Sequence, residues 1–134
     1  MSQLPTIMLV DDDEDDQMIF TSAINEINNG IKCSCFSNAV DSWKMLQMNN
    51  KPRPDCIFLD LNMPFMHGFE FLQLIKTSKE LNSIPVIIYS TSSRESDKIK
   101  ASELGAFNFL SKPNSFAELK NKIRDLLNSL CNKH

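Results

Sequence analysis

Six consecutive acids, Asp11-Asp12-Asp13-Glu14-Asp15-Asp16, follow the apolar run Ile7-Met8-Leu9-Val10. Three more apolar runs also stop at a reactive group. Cys56-Ile57-Phe58-Leu59 stops at Asp60, Val86-Ile87-Ile88-Tyr89 at Ser90, and Phe107-Asn108-Phe109-Leu110 at Ser111-Lys112. Carboxylates such as Asp11, Asp12 and Asp60 are hard oxygen donors suited to Mg2+ or Mn2+, and crowded together without a cation they repel. A carboxylate can also attack phosphorus and form an acyl phosphate. Phosphoryl transfer then needs charge neutralised on the entering oxygens, because its catalysis is mostly positioning and electrostatics. Lys112 offers a point charge for that purpose, and Ser90 a hydroxyl donor.

Taken singly, these residues have ordinary explanations. Asp13 can cap a helix, and Glu14, Asp15 and Asp16 suit the positive end of its dipole, so these three are assigned mainly to that structural role. An aspartate after a strand is usually a turn or a cap, and a lysine is usually solvated. The order of the four run ends makes the functional reading the stronger one.

Those ends need strands to position them. Near-continuous apolar runs fit strands buried on both faces of a parallel sheet, and ligands of such sheets bind at the carboxyl ends of the strands. Runs and helical patterns alternate, which predicts five β-α units. Strands are expected over 6–11, 31–36, 55–60, 85–90 and 107–110. Helices are expected over 14–28, 38–49, 68–79, 94–104 and 114–131. The first helix is expected to bury Met18, Ile19, Ala23, Ile24 and Ile27, and the second Val40, Trp43 and Leu46. The last carries Phe116, Leu119, Ile123, Leu126, Leu127 and Leu130 at a 3.6-residue period. Lys51-Pro52-Arg53-Pro54 reads as a turn. Helix four offers only Ile99, Ala101 and Leu104 to a core, so it is either a solvated surface helix or an element that moves.

The 134 residues match one domain, with no repeat, linker or residues left for an output domain. Net charge −3 argues against nucleic acid, which requires a basic patch. The start Met1-Ser2-Gln3-Leu4-Pro5 lacks a signal-peptide pattern, and no apolar run reaches membrane-span length. A cytoplasmic protein is expected. Cys33, Cys35, Cys56 and Cys131 lack the spacing of a zinc site and are read as small buried hydrophobes.

Val10-Asp11-Asp12, Phe58-Leu59-Asp60-Leu61-Asn62-Met63-Pro64, Pro85-Val86-Ile87-Ile88-Tyr89-Ser90 and Ser111-Lys112-Pro113 together resemble the receiver domain of bacterial two-component response regulators. The resemblance covers nearly the whole chain and is similar in length to the stand-alone, CheY-like members. It implies an α/β (βα)5 flavodoxin-like fold, a five-stranded parallel sheet of order 2-1-3-4-5 with helices on both faces. It implies Asp60 as phosphoacceptor, served by a histidine kinase or histidine phosphotransfer protein. Mg2+, or Mn2+, would be held by the side chains of Asp12 and Asp60 and the backbone carbonyl of Asn62, with Asp11 acting largely through water. Ser90 and Lys112 would stand at the family's hydroxyl and lysine positions. The implied output is a switched surface of helix four, strand five and helix five that binds an unknown downstream protein, from a monomer or weak homodimer.

Three positions depart from the family pattern. Phe109 stands where many members have a switching tyrosine; it keeps the ring but not the hydroxyl, and is either a switch or plain core. Thr91 follows Ser90 where smaller residues are common, and its bulk restricts access to the phosphate. His67 replaces a frequent aspartate and reads as solvent-exposed variation. Ser90, Thr91 and Phe109 are the switch candidates.

Three rival readings compete with this one. A haloacid-dehalogenase-like phosphatase would share the nucleophile, metal and lysine, but Asn62 stands where its second aspartate belongs, and the chain has no residues for a cap. A flavodoxin-type phosphate binder would need a glycine- and hydroxyl-rich loop where the six acids lie. A degenerate receiver used as scaffold would have lost residues that are all present here.

Overall fold

The computed structural model describes residues 4–48 and 52–131, without the side chain of Cys131. The start of the expected N-terminal segment, the end of the expected second helix, Lys51 and the Cys131 thiol therefore lie outside the described residues. Ten elements alternate: β1 Thr6–Val10, α1 Glu14–Ile27, β2 Lys32–Phe36, α2 Ala39–Leu46, β3 Cys56–Leu59, α3 Gly68–Lys76, β4 Val86–Ser90, α4 Glu95–Glu103, β5 Asn108–Ser111 and α5 Phe116–Cys131. The strands form one sheet of order β2-β1-β3-β4-β5, and every neighbouring pair is parallel.

Alternation along each strand sends side chains to two cores. Met8, Val10, Ile57, Leu59, Val86 and Ile88 pack against α2, α3 and Ala101 of α4. Ile7, Leu9, Cys56, Phe58, Ile87, Tyr89 and Leu110 pack against α1 and α5. β1, β3 and β4 lie inside the sheet and are almost wholly buried, which explains their unbroken apolar runs. Each fully buried Leu, Ile or Phe contributes about 1.5–3 kcal/mol relative to exposure.

The apolar stripe of α1 differs from expectation. Met18 and Ile19 are exposed, while Phe20, Ala23 and Ile24 are buried. Phe20, Ala23, Ile24 and Ile27 also hold a helical spacing, and Phe20 fits edge-on against Phe58 at 4.9 Å. Ring packing between sheet and helix selects that face over the flexible Met18. In α2, Val40 is exposed, and Ala39 and Ser42 are buried in its stead. In α5, Phe116 is exposed, while Leu119, Ile123 and Leu127 are buried. Cys56 is buried, and Cys33 and Cys35 are half-buried on the edge strand β2.

Candidate functional site

The register of β1 and β3 brings the acids together. Val10 pairs with Leu59, and the Asp60 N–H donates to the Val10 carbonyl at 2.9 Å. The Asp11 N–H in turn donates to Phe36 of β2 at 2.9 Å. Asp11, Asp12 and Asp60 each offer a carboxylate oxygen within 4.8 Å of the others. On the other side of β3, Ser90 pairs with Ser111, and the Lys112 N–H donates to the Ser90 carbonyl at 2.7 Å.

Asp11 is completely buried. Its Oδ1 accepts the Asp13 N–H at 2.9 Å, and its Oδ2 accepts from Lys112 Nζ at 2.8 Å. Burial still pushes its pKa up, because desolvation outweighs these bonds. Asp60 is also buried; its Oδ1 accepts the Leu61 N–H at 2.8 Å, and its Oδ2 lies 3.9 Å from Lys112 Nζ. Burial pushes its pKa up to about 6; Lys112 opposes the shift, and Asp11 and Asp12 add to it. Asp12 is exposed at the rim, as are Asn62 and Thr91.

Burial disfavours the charge on Lys112, but bonds to Asp11 and Asp16 outweigh it and its pKa rises. The Asp16 contact, 2.8 Å from Nζ to Oδ2, is as short as that to Asp11. Asp16 therefore has a role beyond the helix dipole, which the sequence did not indicate. The helical offset of Asp16 from its cap Asp13, which accepts the Asp16 N–H at 3.1 Å, was the available signal. Gln17 was also missed: its Nε2 donates to the Asp11 carbonyl at 2.6 Å and to Ser37 Oγ at 3.2 Å.

The loop after Asp60 is closed by the Gly68 N–H, which donates to the Leu61 carbonyl at 2.8 Å. A Cβ at Gly68 would collide with the Asp60 carbonyl and lie 2.8 Å from Leu61 Cα, so the close approach requires glycine. His67, expected to be solvent-exposed variation, is half-buried and caps α3. Its Nδ1 accepts the Phe69 N–H at 3.1 Å, and Glu70 accepts the His67 N–H at 3.1 Å. Ser90 is fully buried, and its Oγ accepts the Ser92 N–H at 3.2 Å. Phe109 is half-buried and packs against the α2–α4 side of the sheet.

A crevice of acids with one lysine and one hydroxyl, at the carboxyl ends of β1, β3, β4 and β5, suits a phosphoryl group beside a hard cation. Residues 7–124 match the family model described as "Response regulator receiver domain". The chain belongs to this family. Receiver domains are phosphoacceptor modules of phosphorelay signalling, not classical enzymes. The receiver is 32% identical to the transcriptional regulatory protein PrrA of Mycobacterium leprae over 92% of this chain and 50% of that one. It thus spans about half the length of the curated relatives of that kind. Among solved structures it is similar to the Mn(2+)-bound form of response regulator Rcp1, with a TM-score of 0.83, 27% identity and coverage of 97% and 96% of the two chains. It is also similar to the bacteriophytochrome response regulator RtBRR, with a TM-score of 0.77, 30% identity and coverage of 92% and 78%. The receiver has the expected strand order. No helix among its described residues is long and apolar enough to cross a membrane.

Proposed function

We propose that this receiver takes a phosphoryl group on Asp60 from a histidine kinase or histidine phosphotransfer protein. The observation that carries the reading is the Asp60 carboxylate, paired with an acid cluster on one side and Lys112 on the other. Asp60 Oδ2 would form the new bond to phosphorus while the donor's imidazole nitrogen leaves, giving an acyl phosphate. Lys112, tethered by Asp11 and Asp16 and 3.9 Å from Asp60, would neutralise charge on the phosphoryl oxygens. The buried Ser90 hydroxyl would donate to one of them, since its oxygen accepts from Ser92 and its own proton is available.

Asp11, Asp12 and Asp60 fit a hard divalent ion: all three donors are carboxylates, and Asp60 without a cation holds a raised pKa. Asp12, Asp60 and the Asn62 carbonyl would hold Mg2+, with Mn2+ able to substitute, as the Mn(2+)-bound Rcp1 neighbour suggests. When bound, the ion would offset the negative charge shared by the carboxylates and the phosphoryl group. The buried, lysine-bound Asp11 would contribute through water. The same residues would assist phosphoryl uptake and later hydrolysis, and no other reaction.

Occupancy of Asp60 would switch the surface of α4, β5 and α5, through Ser90, Thr91 and Phe109, toward a downstream protein. The reading includes a cytoplasmic location and a monomer or weak homodimer. A modification shifts such an equilibrium only by its differential interaction with the two states. Incubation with labelled acetyl phosphate tests the proposal. It predicts one hydroxylamine-labile phosphoryl group per chain in Mg2+ and none in excess EDTA; equal uptake in EDTA would overturn it.

A further inference from the structure

α4 buries only Ala101 and has no side-chain bond at its N-cap, Arg94. Its first turn is held from outside, by Ser92. The Ser92 hydroxyl donates to Asp97 Oδ2 at 2.6 Å, and its Oγ accepts the Arg94 N–H at 3.2 Å. The Ser92 carbonyl accepts the Ser111 hydroxyl of β5 at 2.9 Å. Its N–H donates to Ser90 Oγ at 3.2 Å. One loop residue is thus bonded to the site, to α4 and to β5.

We propose that Ser92 is a positioning residue that ties the Ser90 hydroxyl to the N-terminus of α4, so that capture of this hydroxyl by a phosphoryl group on Asp60 reaches α4 through Ser92. The inference rests on the phosphoacceptor reading of Asp60. The two ends of the tie differ in strength. The bond to Asp97 is a short hydroxyl–carboxylate contact, of the stronger charge-assisted kind. It is also the largest cause holding the Asp97 carboxyl below its usual range, with Arg94 contributing. The bond to Ser90 lies at the long limit of ordinary N–H···O geometry. When Ser90 Oγ shifts, the weak end is the one that changes, and Ser92 passes that change to α4 through its firm bond to Asp97. Thr91, between them, is exposed and gives the loop no second anchor in the core.

Hydrogen exchange of α4, with and without fluoroberyllate as a phosphoryl mimic in Mg2+, tests this; mimic binding is followed separately by fluorine NMR. In the wild type, the mimic should bind and change exchange over 93–104. Ser92→Ala keeps the backbone N–H and loses the hydroxyl. It should still bind the mimic, exchange several-fold faster in α4, and lose the mimic-dependent difference. Asp97→Ala should match it, the double variant should be no worse, and Ser92→Thr should restore the wild-type response. Simple loss of a cap would speed exchange yet leave the difference intact. A Ser92→Ala protein that binds the mimic and keeps the wild-type α4 response overturns this inference alone. A wild type that binds no mimic overturns the Asp60 reading and this inference with it.

Discussion

α3 and α4 are both nine residues long, and each follows a strand that ends in the site. They are held in opposite ways. α3 buries Gly68, Phe69, Phe71, Leu72 and Ile75 and is closed at its start by the His67–Glu70 capping box. α4 buries one alanine and depends on a loop serine for its first turn. The chain leaving Asp60 is therefore locked to the core within a few residues, whereas the chain leaving Ser90 runs into a lightly held helix. Elements that move are drawn from the low-stability end of a structure. On the proposed function, the contrast separates a fixed platform for chemistry from a surface free to report on it.

The largest expected effect that would break this contrast is in the core of α3. Leu72→Ala should cost about 2–5 kcal/mol in urea unfolding, as for a fully buried leucine. A cost under about 1 kcal/mol would mean that α3 is no better anchored than α4.

Next in size is the penalty of holding Asp60 ionised without a cation. Below about pH 4 its carboxyl is protonated in folded and unfolded chains alike, and the penalty vanishes. Its folded pKa is raised to about 6, so the folded chain binds the extra proton between the two values, and stability falls as pH rises through that window. Asp60→Asn removes this contribution. Without metal, the variant should exceed the wild type by about 1–3 kcal/mol near neutral pH and match it near about pH 4. Saturating Mg2+ should narrow the gap. A pH-independent difference would contradict the assignment.

His67→Ala should cost about 1 kcal/mol through loss of the α3 cap, measured by denaturant unfolding. The smallest effect sharpens the other side of the comparison. Ile99→Ala, on the exposed face of α4, should change stability by less than about 0.5 kcal/mol.

The fold was readable because β1, β3 and β4 are buried on both faces and their apolar runs end at the reactive residues. The gathering of Asp11, Asp12, Asp60, Ser90 and Lys112 followed from that topology. Most of what escaped was set by contacts distant in sequence. Asp16 reaches Lys112 from the first turn of α1, and its place in an acidic run made it look like a dipole residue. The buried face of α1 was decided by Phe20 meeting Phe58 across the helix–sheet interface, which periodicity alone cannot rank above Met18. His67 looked variable because a cap through a ring nitrogen is rarer than one through a carboxylate or hydroxyl.

Mapping the phosphoryl group after acetyl phosphate treatment in Mg2+ tests the central claim most directly. A single modified peptide containing Asp60 is expected, with no incorporation in Asp60→Asn. Incorporation retained in that variant, or mapped to another acid such as Asp12, would contradict it.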